Sequence, residues 1–166
     1  ATSFIRIFRN ASSMNQDLNG WDVSTITNMQ DAFLNATSFN GDISAWDVGS
    51  VTTLANMFRN APNFNQNLGN WNVSNVTHMN RMFENASSFN QDLSAWDVSN
   101  VSVMFQMFLN ATSFDQNLGQ WDISNVTNLI GMFDGVTLSI DNYDNTLIGW
   151  NTLEPSETQI PENITF

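Results

Sequence analysis

The sequence predicts a right-handed α/β solenoid of about six 25-residue units, closed by a C-terminal cap. Two observations carry this prediction. Five similar segments begin at residues 14, 39, 64, 89 and 114, and the spacing between their starts is 25 residues each time. Apolar residues recur in the same register in every segment. The chain therefore repeats one unit, and stacking of the units is expected to bury their apolar sides.

Each unit begins with a short apolar pattern that is typical of a strand. Leu18, Trp21 and Val23 read L-x-x-L-x-L, the strand half of a leucine-rich repeat. Because side chains alternate across a strand, Trp21 and Val23 are expected to point inward and Asp22 outward. We therefore expect one short parallel strand per unit, stacked about 4.8 Å from the next.

The second half of each unit has helical spacing. Ile26, Met29, Phe33 and Ala36 recur every three or four residues, which predicts a short helix or 3₁₀ stretch and then a return turn. Asparagine at the end of this stretch tolerates the left-handed conformation that closes a helix. Stacked amides can also hydrogen-bond from unit to unit. The column consists of Asn10, Asn35, Asn60, Asn85 and Asn110.

The last unit departs from the pattern. Thr146 stands where the next Trp is due, and a cap helix over the open end is predicted at about residues 139–152. Its apolar side chains are Tyr143, Leu147, Ile148 and Trp150. Residues 1–152 are thus predicted to form a single solenoid, followed by an extended tail at 153–166. The chain begins inside a repeat, which predicts that it is a piece of a longer protein.

The composition restricts the possible partners. The net charge is -12 and there is no Lys, so the surface is expected to repel phosphate backbones and anionic lipid. No apolar run approaches the roughly 20 residues of a membrane span. The absence of Cys excludes disulfides and thiol chemistry. We therefore predict no nucleic-acid binding and no direct membrane insertion.

The repeat resembles a known family. Stretches such as WDVSTITNM at residues 21–29, followed by the pattern MFxNAxxFNQDLSxW, are similar to the BspA-like leucine-rich-repeat surface proteins of bacteria. The tail MFDGVTLSIDNYDNTLIGW at 132–150 is similar to the segment that often closes such arrays. The resemblance covers roughly residues 4–152. It implies an extracellular, cell-surface location and a role in binding or adhesion, and it implies no enzymatic activity.

One candidate ligand surface is the polar row that follows the Trp column. Its members are Asp22, Asp47, Asn72, Asp97 and Asp122. They are expected to accept hydrogen bonds from neighbouring Ser or backbone groups. Binding of Ca²⁺ or of a basic ligand is the alternative, but no EF-hand or nonapeptide calcium motif is present. We predict no metal site and no cofactor.

A second candidate surface lies where the units differ from one another. Variation is greatest at positions 28, 30, 31 and 34 and their equivalents, in the helical half. Some of these substitutions are apolar, and we predict that they form one patch that contacts another domain, another copy or a ligand. The alternative is that they are scattered surface hydrophobics, which are common. The patch consists of Val103, Phe105, Leu109 and Ile130, beside His78, Arg59, Arg81 and Glu84.

The remaining chemistry of the sequence favours structure over catalysis. The Trp column is predicted to be core, although an exposed Trp row would bind sugars. The single histidine, His78, has no distinct nucleophile partner, and the carboxylates are copied in every unit. We predict no catalytic residues.

The sequence therefore predicts a non-enzymatic extracellular binding or adhesion module of a larger cell-surface protein. Its partner would be a protein, peptide or glycan. Alternatives are a structural spacer in a long adhesin, a Ca²⁺-dependent ligand-binding domain, or a small-molecule or ice binder. Ice binding would favour a Thr-rich ladder on the strand, and the Thr column (Thr27, Thr52, Thr77 and Thr127) lies elsewhere.

Overall fold

The computed structural model describes residues 2–152. Over this range the backbone forms a stack of 25-residue coils. Parallel bridges connect equivalent residues of successive coils, in the order Ser3, Asn28, Thr53, His78, Val103 and Asn128. Beyond each bridge, alternate N–H groups donate to the next coil, as from Asp31 to the Ala55 carbonyl at 3.0 Å. The period of the sequence is therefore the period of the stack.

The predicted fold class, a right-handed α/β solenoid of leucine-rich-repeat type, is wrong. Within residues 2–152 the parallel contacts are isolated bridges, and the one helix, α1, is Ile140–Trp150. The segment predicted as a strand consists of turns, in which the Trp21 N–H donates to the Leu18 carbonyl at 2.9 Å. Each coil is thus built from turns.

The backbone conformation explains why the segment after Ile26 is not a helix. Asp31 and Asn35 have φ angles of 57° and 60°, which a right-handed helix does not allow. The intervening N–H groups close short turns, as from Ala32 to the Met29 carbonyl at 3.1 Å. Such turns also return a side chain to the core every three or four residues, so their apolar pattern imitates that of a helix.

Positive φ recurs in two columns of the stack. One is the predicted asparagine column, which ends at Gly135 with a φ of 75°. The predicted left-handed conformation of these asparagines is confirmed. The other column has varied side chains: Arg6, Asp31, Asn56, Arg81, Gln106 and Gly131.

Aromatic side chains fill the interior of the coils. Phe33 stacks on Phe39 of its own coil at a ring-centroid distance of 4.1 Å, and on Phe58 of the next coil at 5.5 Å. The prediction that the Trp column is core is confirmed in the interior coils. Trp71 is 3% exposed and stacks on Trp46 at 6.4 Å. Much of each ring's burial is therefore supplied by a neighbouring coil.

Polar side chains connect the coils at their edges. Asn60 Nδ2 donates to Asn35 Oδ1 at 2.8 Å, and Asn85 Nδ2 donates to Asn60 Oδ1 at 2.6 Å. The ladder runs from Asn10 to Asn110, which confirms the predicted amide column. These bonds satisfy amides that the stack partly removes from water.

The helix α1 covers the C-terminal end. Trp150 Nε1 donates to the Leu118 carbonyl at 2.9 Å, the relation that the interior Trp residues have with the preceding coil. Its ring stacks on Phe133 at 6.2 Å. Thr146 Oγ1 accepts a hydrogen bond from the Leu118 N–H at 3.0 Å. The helix lies inside the range predicted for the cap, and the predicted tail lies outside the described residues.

Candidate ligand-binding face

One side of the stack carries the residues that differ most from coil to coil. Four columns form it, and they run through Asn28, Gln30, Asp31 and Leu34. We name it the variable face. Asp31 and Leu34 are themselves buried, whereas their equivalents Arg81 and Leu109 are half-buried. Single-use side chains are therefore concentrated on one side of an otherwise repetitive molecule.

The variable face also holds every basic residue of the chain. Four arginines and three acidic residues lie in its columns, so its formal charge is +1: Arg6, Arg9, Arg59, Arg81, Asp31, Glu84 and Asp134. The ten other acidic residues of the described range have no basic residue among them, so their formal charge is -10. They are Asp17, Asp22, Asp42, Asp47, Asp92, Asp97, Asp115, Asp122, Asp141 and Asp144. The variable face is therefore slightly positive, although the chain as a whole is strongly negative.

A buried carboxylate sits between two of these arginines. The Glu84 side chain is 8% exposed, and its Oε2 lies 2.9 Å from Arg59 Nε and 3.4 Å from Arg81 Nε. Burial of an ionised carboxylate is costly unless it is paired, so the two guanidinium groups stabilise Glu84 in this position. The Arg59 contact is close, yet its angles are not those of a hydrogen bond. The pairing is therefore mainly Coulombic.

Arg81 is also held from two other directions. Its Cζ lies 4.9 Å from the centroid of the Phe105 ring, and its Nε donates to Gln106 Oε1 at 3.0 Å. A cation over an aromatic face and a directed hydrogen bond together orient the guanidinium. The terminal nitrogens of Arg59 and Arg81 donate no hydrogen bond to another described residue. The arginine side chains are 32% and 35% exposed, so these donors can reach a ligand.

A groove of about 340 Å³ lies in the middle of the variable face. Asn56 Oδ1 is buried there without a hydrogen-bond partner among the described residues. Thr77 donates its only hydroxyl proton to the Thr52 carbonyl at 3.1 Å, so His78 Nδ1, which is 2.9 Å from that hydroxyl, is the donor. Nε2 of neutral His78 is then an acceptor. The lining has no formally charged side chain when His78 is neutral: Gln30, Thr53, Ala55, Asn56, His78 and Asn80.

The predicted apolar patch is less open than expected. Val103, Phe105 and Leu109 are half-buried, while Ile130 is 55% exposed. Arg81 covers the Phe105 ring, which accounts for part of its burial. Phe105 and Ile130 occupy the same column in adjacent coils, so they are neighbours along the stack. The apolar surface is therefore a strip beside the arginines.

The polar row after the Trp column lies on another side of each coil. Asp97 Oδ1 accepts hydrogen bonds from the Ser99 N–H at 3.1 Å and from its hydroxyl at 2.6 Å. Asn72 accepts the same two bonds from Ser74. Asp22, Asp47 and Asp122 each accept a bond from the backbone two residues ahead. The predicted local hydrogen bonding is confirmed, and ligand binding by this row stays a prediction.

These local bonds also affect ionisation. The Ser24 hydroxyl and then its N–H donate to Asp22, and both lower the pKa of that carboxyl from its usual value. Among residues 2–152, no three His, Asp or Glu side chains are grouped so that they could hold a metal ion. In the same range no helix is long and apolar enough to cross a membrane.

Sequence reasoning located part of this face and missed part. It named His78, Arg59, Arg81 and Glu84 as neighbours of the apolar patch, but it did not identify the groove. The signal for both was the same, the variation of four columns in a repeat. The sharing of one Glu84 oxygen by two arginines depends on distances that the sequence does not contain.

The geometry defines a repeat protein, a capped stack of 25-residue coils with one variable face. A family model described as Mycoplasma protein of unknown function, DUF285, matches residues 2–102 and 40–146, and the chain belongs to that family. Neither the curated proteins nor the solved structures include a significant match. The family description names no ligand, and the resemblance to BspA-like proteins stays a prediction.

Proposed function

We propose that this protein is a non-enzymatic binding module of a larger cell-surface protein and that its variable face binds the partner. The proposal rests on one observation. The repeated asparagine, tryptophan and aspartate columns are engaged in hydrogen bonds within or between coils, whereas the differing residues share one face. Side chains used once in a repetitive scaffold are better suited to recognition than side chains copied in every coil.

The form of the face supports an extended partner. The groove and the strip that contains Ile130 lie along the stack axis, at successive coils. The groove offers amide and imidazole groups, and the strip offers apolar surface. A protein segment, peptide or glycan outside the cell fits this combination. The extracellular location rests on the resemblance of the repeats to BspA-like surface proteins.

A peptide and glycan array tests the proposal with three proteins. The wild-type chain is compared with a His78→Ala, Ile130→Ser variant, in which both changed side chains are exposed. The matched control is Asp97→Asn, on the polar row. We expect an array ligand of the wild type to be lost by the face variant and kept by the control. Melting temperatures of all three should agree within a few degrees, because surface changes have small effects on stability.

Other results would favour the alternatives. A ligand that is lost in Asp97→Asn and kept in the face variant would assign recognition to the polar row. If no ligand is bound by any of the three proteins, the structural spacer is favoured. A rise in melting temperature of about 10 °C with Ca²⁺ would favour the Ca²⁺-dependent domain, because binding to the native state alone raises its stability.

A further inference from the structure

We infer that Arg59 and Arg81, with Glu84 between them, form a binding site for a carboxylate group of a peptide partner. The carboxylate would lie next to an apolar side chain of the same peptide. This inference rests on the proposed function, because it names the chemistry that the variable face recognises. We name the three residues the arginine cluster.

The arginine cluster is positively charged. Two guanidinium groups share one carboxylate oxygen, so the cluster carries a formal charge of +1. One further carboxylate would neutralise it. A ligand with several negative charges would also meet the field of the ten acidic residues elsewhere on the chain, which disfavours phosphate chains and polyanions.

The arginine cluster also has hydrogen-bond donors that are available to a ligand. Glu84 contacts the Nε atoms, whereas the terminal nitrogens donate no hydrogen bond to another described residue. Guanidinium groups bind carboxylates through two parallel N–H groups, and terminal nitrogens provide that geometry. The Phe105 ring and Gln106 Oε1 orient Arg81 before a ligand arrives, which reduces the entropy lost on binding.

The residues around the arginine cluster favour a peptide, rather than an acidic sugar, as the source of the carboxylate. Phe105 lies directly under Arg81, and exposed Ile130 follows in the same column one coil later, about 5 Å further along the stack. An aliphatic side chain next to a carboxylate is a feature of peptides, whereas acidic sugars present hydroxyl groups there. On the other side, the Asn80 side chain of the groove carries a donor and an acceptor, as a peptide bond does.

The test uses small probes of known chemistry and nuclear magnetic resonance of the whole chain. N-acetyl-leucine carries the carboxylate and an apolar side chain, N-acetyl-leucine amide lacks the charge, and glucuronate has a carboxylate without the apolar group. We expect N-acetyl-leucine to shift the Nε–H signals of Arg59 and Arg81 and the methyl signals of Ile130, with saturation in the millimolar range. The amide should leave these signals unchanged, and glucuronate should bind more weakly.

Substitutions provide the matched control. Arg59→Gln should weaken N-acetyl-leucine binding by about tenfold, because one charged donor pair is lost. Arg9→Gln removes the same charge from the same column, and Arg9 forms no ion pair with another described residue. It should leave the affinity unchanged. Arg59→Lys keeps the charge beside Glu84 but loses the planar fork, and it should weaken binding several-fold without unfolding the chain.

Three results would overturn the inference. The first is that the amide shifts the signals as strongly as the acid, and the second is that Arg9→Gln weakens binding as much as Arg59→Gln. The third is that glucuronate binds more tightly than N-acetyl-leucine. The last result would assign the site to acidic sugars. If a neutral array ligand shifts the groove residues while N-acetyl-leucine shifts no arginine signal, the binding-module proposal stands and the carboxylate inference fails.

Discussion

The two ends of the stack differ in what covers them. At the C-terminal end α1 places Trp150 over the last coil, where it is 6% exposed and donates to the Leu118 carbonyl. At the N-terminal end Trp21 is 42% exposed, although it belongs to the same column as Trp71, which is 3% exposed. Ile7 is 43% exposed, although its equivalents in the other coils are buried. Both Trp21 and Ile7 are exposed because no other described coil packs against this end of the stack.

This difference shows where the stability of a coil comes from. The first coil has the residue pattern of the others, yet its Trp21 indole N–H has no hydrogen bond to another described residue. In the interior, Trp71 Nε1 donates to the Ile43 carbonyl of the preceding coil. A preceding coil therefore provides both the burial and the hydrogen bond, as expected for nearest-neighbour stability in repeat proteins. We expect the first coil of this 166-residue chain to open more readily than the rest.

The largest expected effect is that of an interior tryptophan. Trp71→Ala should lower the free energy of unfolding by roughly 3–5 kcal/mol, because it leaves a cavity between two coils. Trp21→Ala should cost about 1 kcal/mol, since much of that ring is already in water. Urea unfolding of both variants measures the two costs. Equal costs would mean that the first coil is as tightly packed as the interior.

Interior asparagines of the ladder make more hydrogen bonds than the first one does. Asn60 donates to Asn35, accepts from Asn85 and has a φ of 57°. Asn60→Ala should cost roughly 2–4 kcal/mol, through two lost hydrogen bonds and a left-handed alanine. The Asn10 side chain accepts one ladder hydrogen bond, from Asn35, and donates none to a preceding coil, so Asn10→Ala should cost less in the same unfolding experiment. A larger cost at Asn10 would contradict the weaker attachment of the first coil.

The attachment of α1 can be tested by pH. Asp115 Oδ1 accepts hydrogen bonds from the Ser139 N–H at 2.8 Å and from Asn142 Nδ2 at 2.9 Å. The Asn142 bond is the largest cause that lowers the pKa of Asp115 below 3.8. Because the folded pKa is depressed, the stabilisation is present above pH 3.8 and is lost as the pH falls through the folded pKa.

Asp115→Asn should therefore remove this part of the pH dependence. Hydrogen exchange of the α1 amides at pH 7 and pH 3 compares the variant with the wild type. In the wild type, protection of α1 relative to the coils should fall at the lower pH, and in the variant it should change less. The same decrease in both proteins would show that Asp115 does not attach the cap.

The smallest effect is expected for the same substitution inside the stack. Asp97→Asn should change the free energy of unfolding by less than about 0.5 kcal/mol, because Asn72 already makes these bonds in the same column. Thermal unfolding at neutral pH measures it. A cost above that of Asp115→Asn under the same conditions would mean that the polar row has a role beyond local hydrogen bonding.

The residue pattern alone sets the period of the stack, the columns and the inward and outward sides of each coil. Trp46 and Val48 are buried and Asp47 is exposed, as their alternation predicts. The amide ladder and its left-handed backbone also follow from a repeated asparagine, because few other residues tolerate that conformation. These features depend on residue type and register, which a sequence contains.

Tertiary structure decides the backbone between those columns and the form of the variable face. The spacing of Ile26, Met29 and Phe33 fits a helix and a series of turns equally well, and hydrogen bonds to the next coil select the turns. The Phe105 ring is half-buried in part because Arg81, from the preceding coil, covers it. Arg59 and Arg81 meet at Glu84 only because successive coils bring distant residues together. Such contacts depend on distances between coils, and local sequence patterns do not encode those distances.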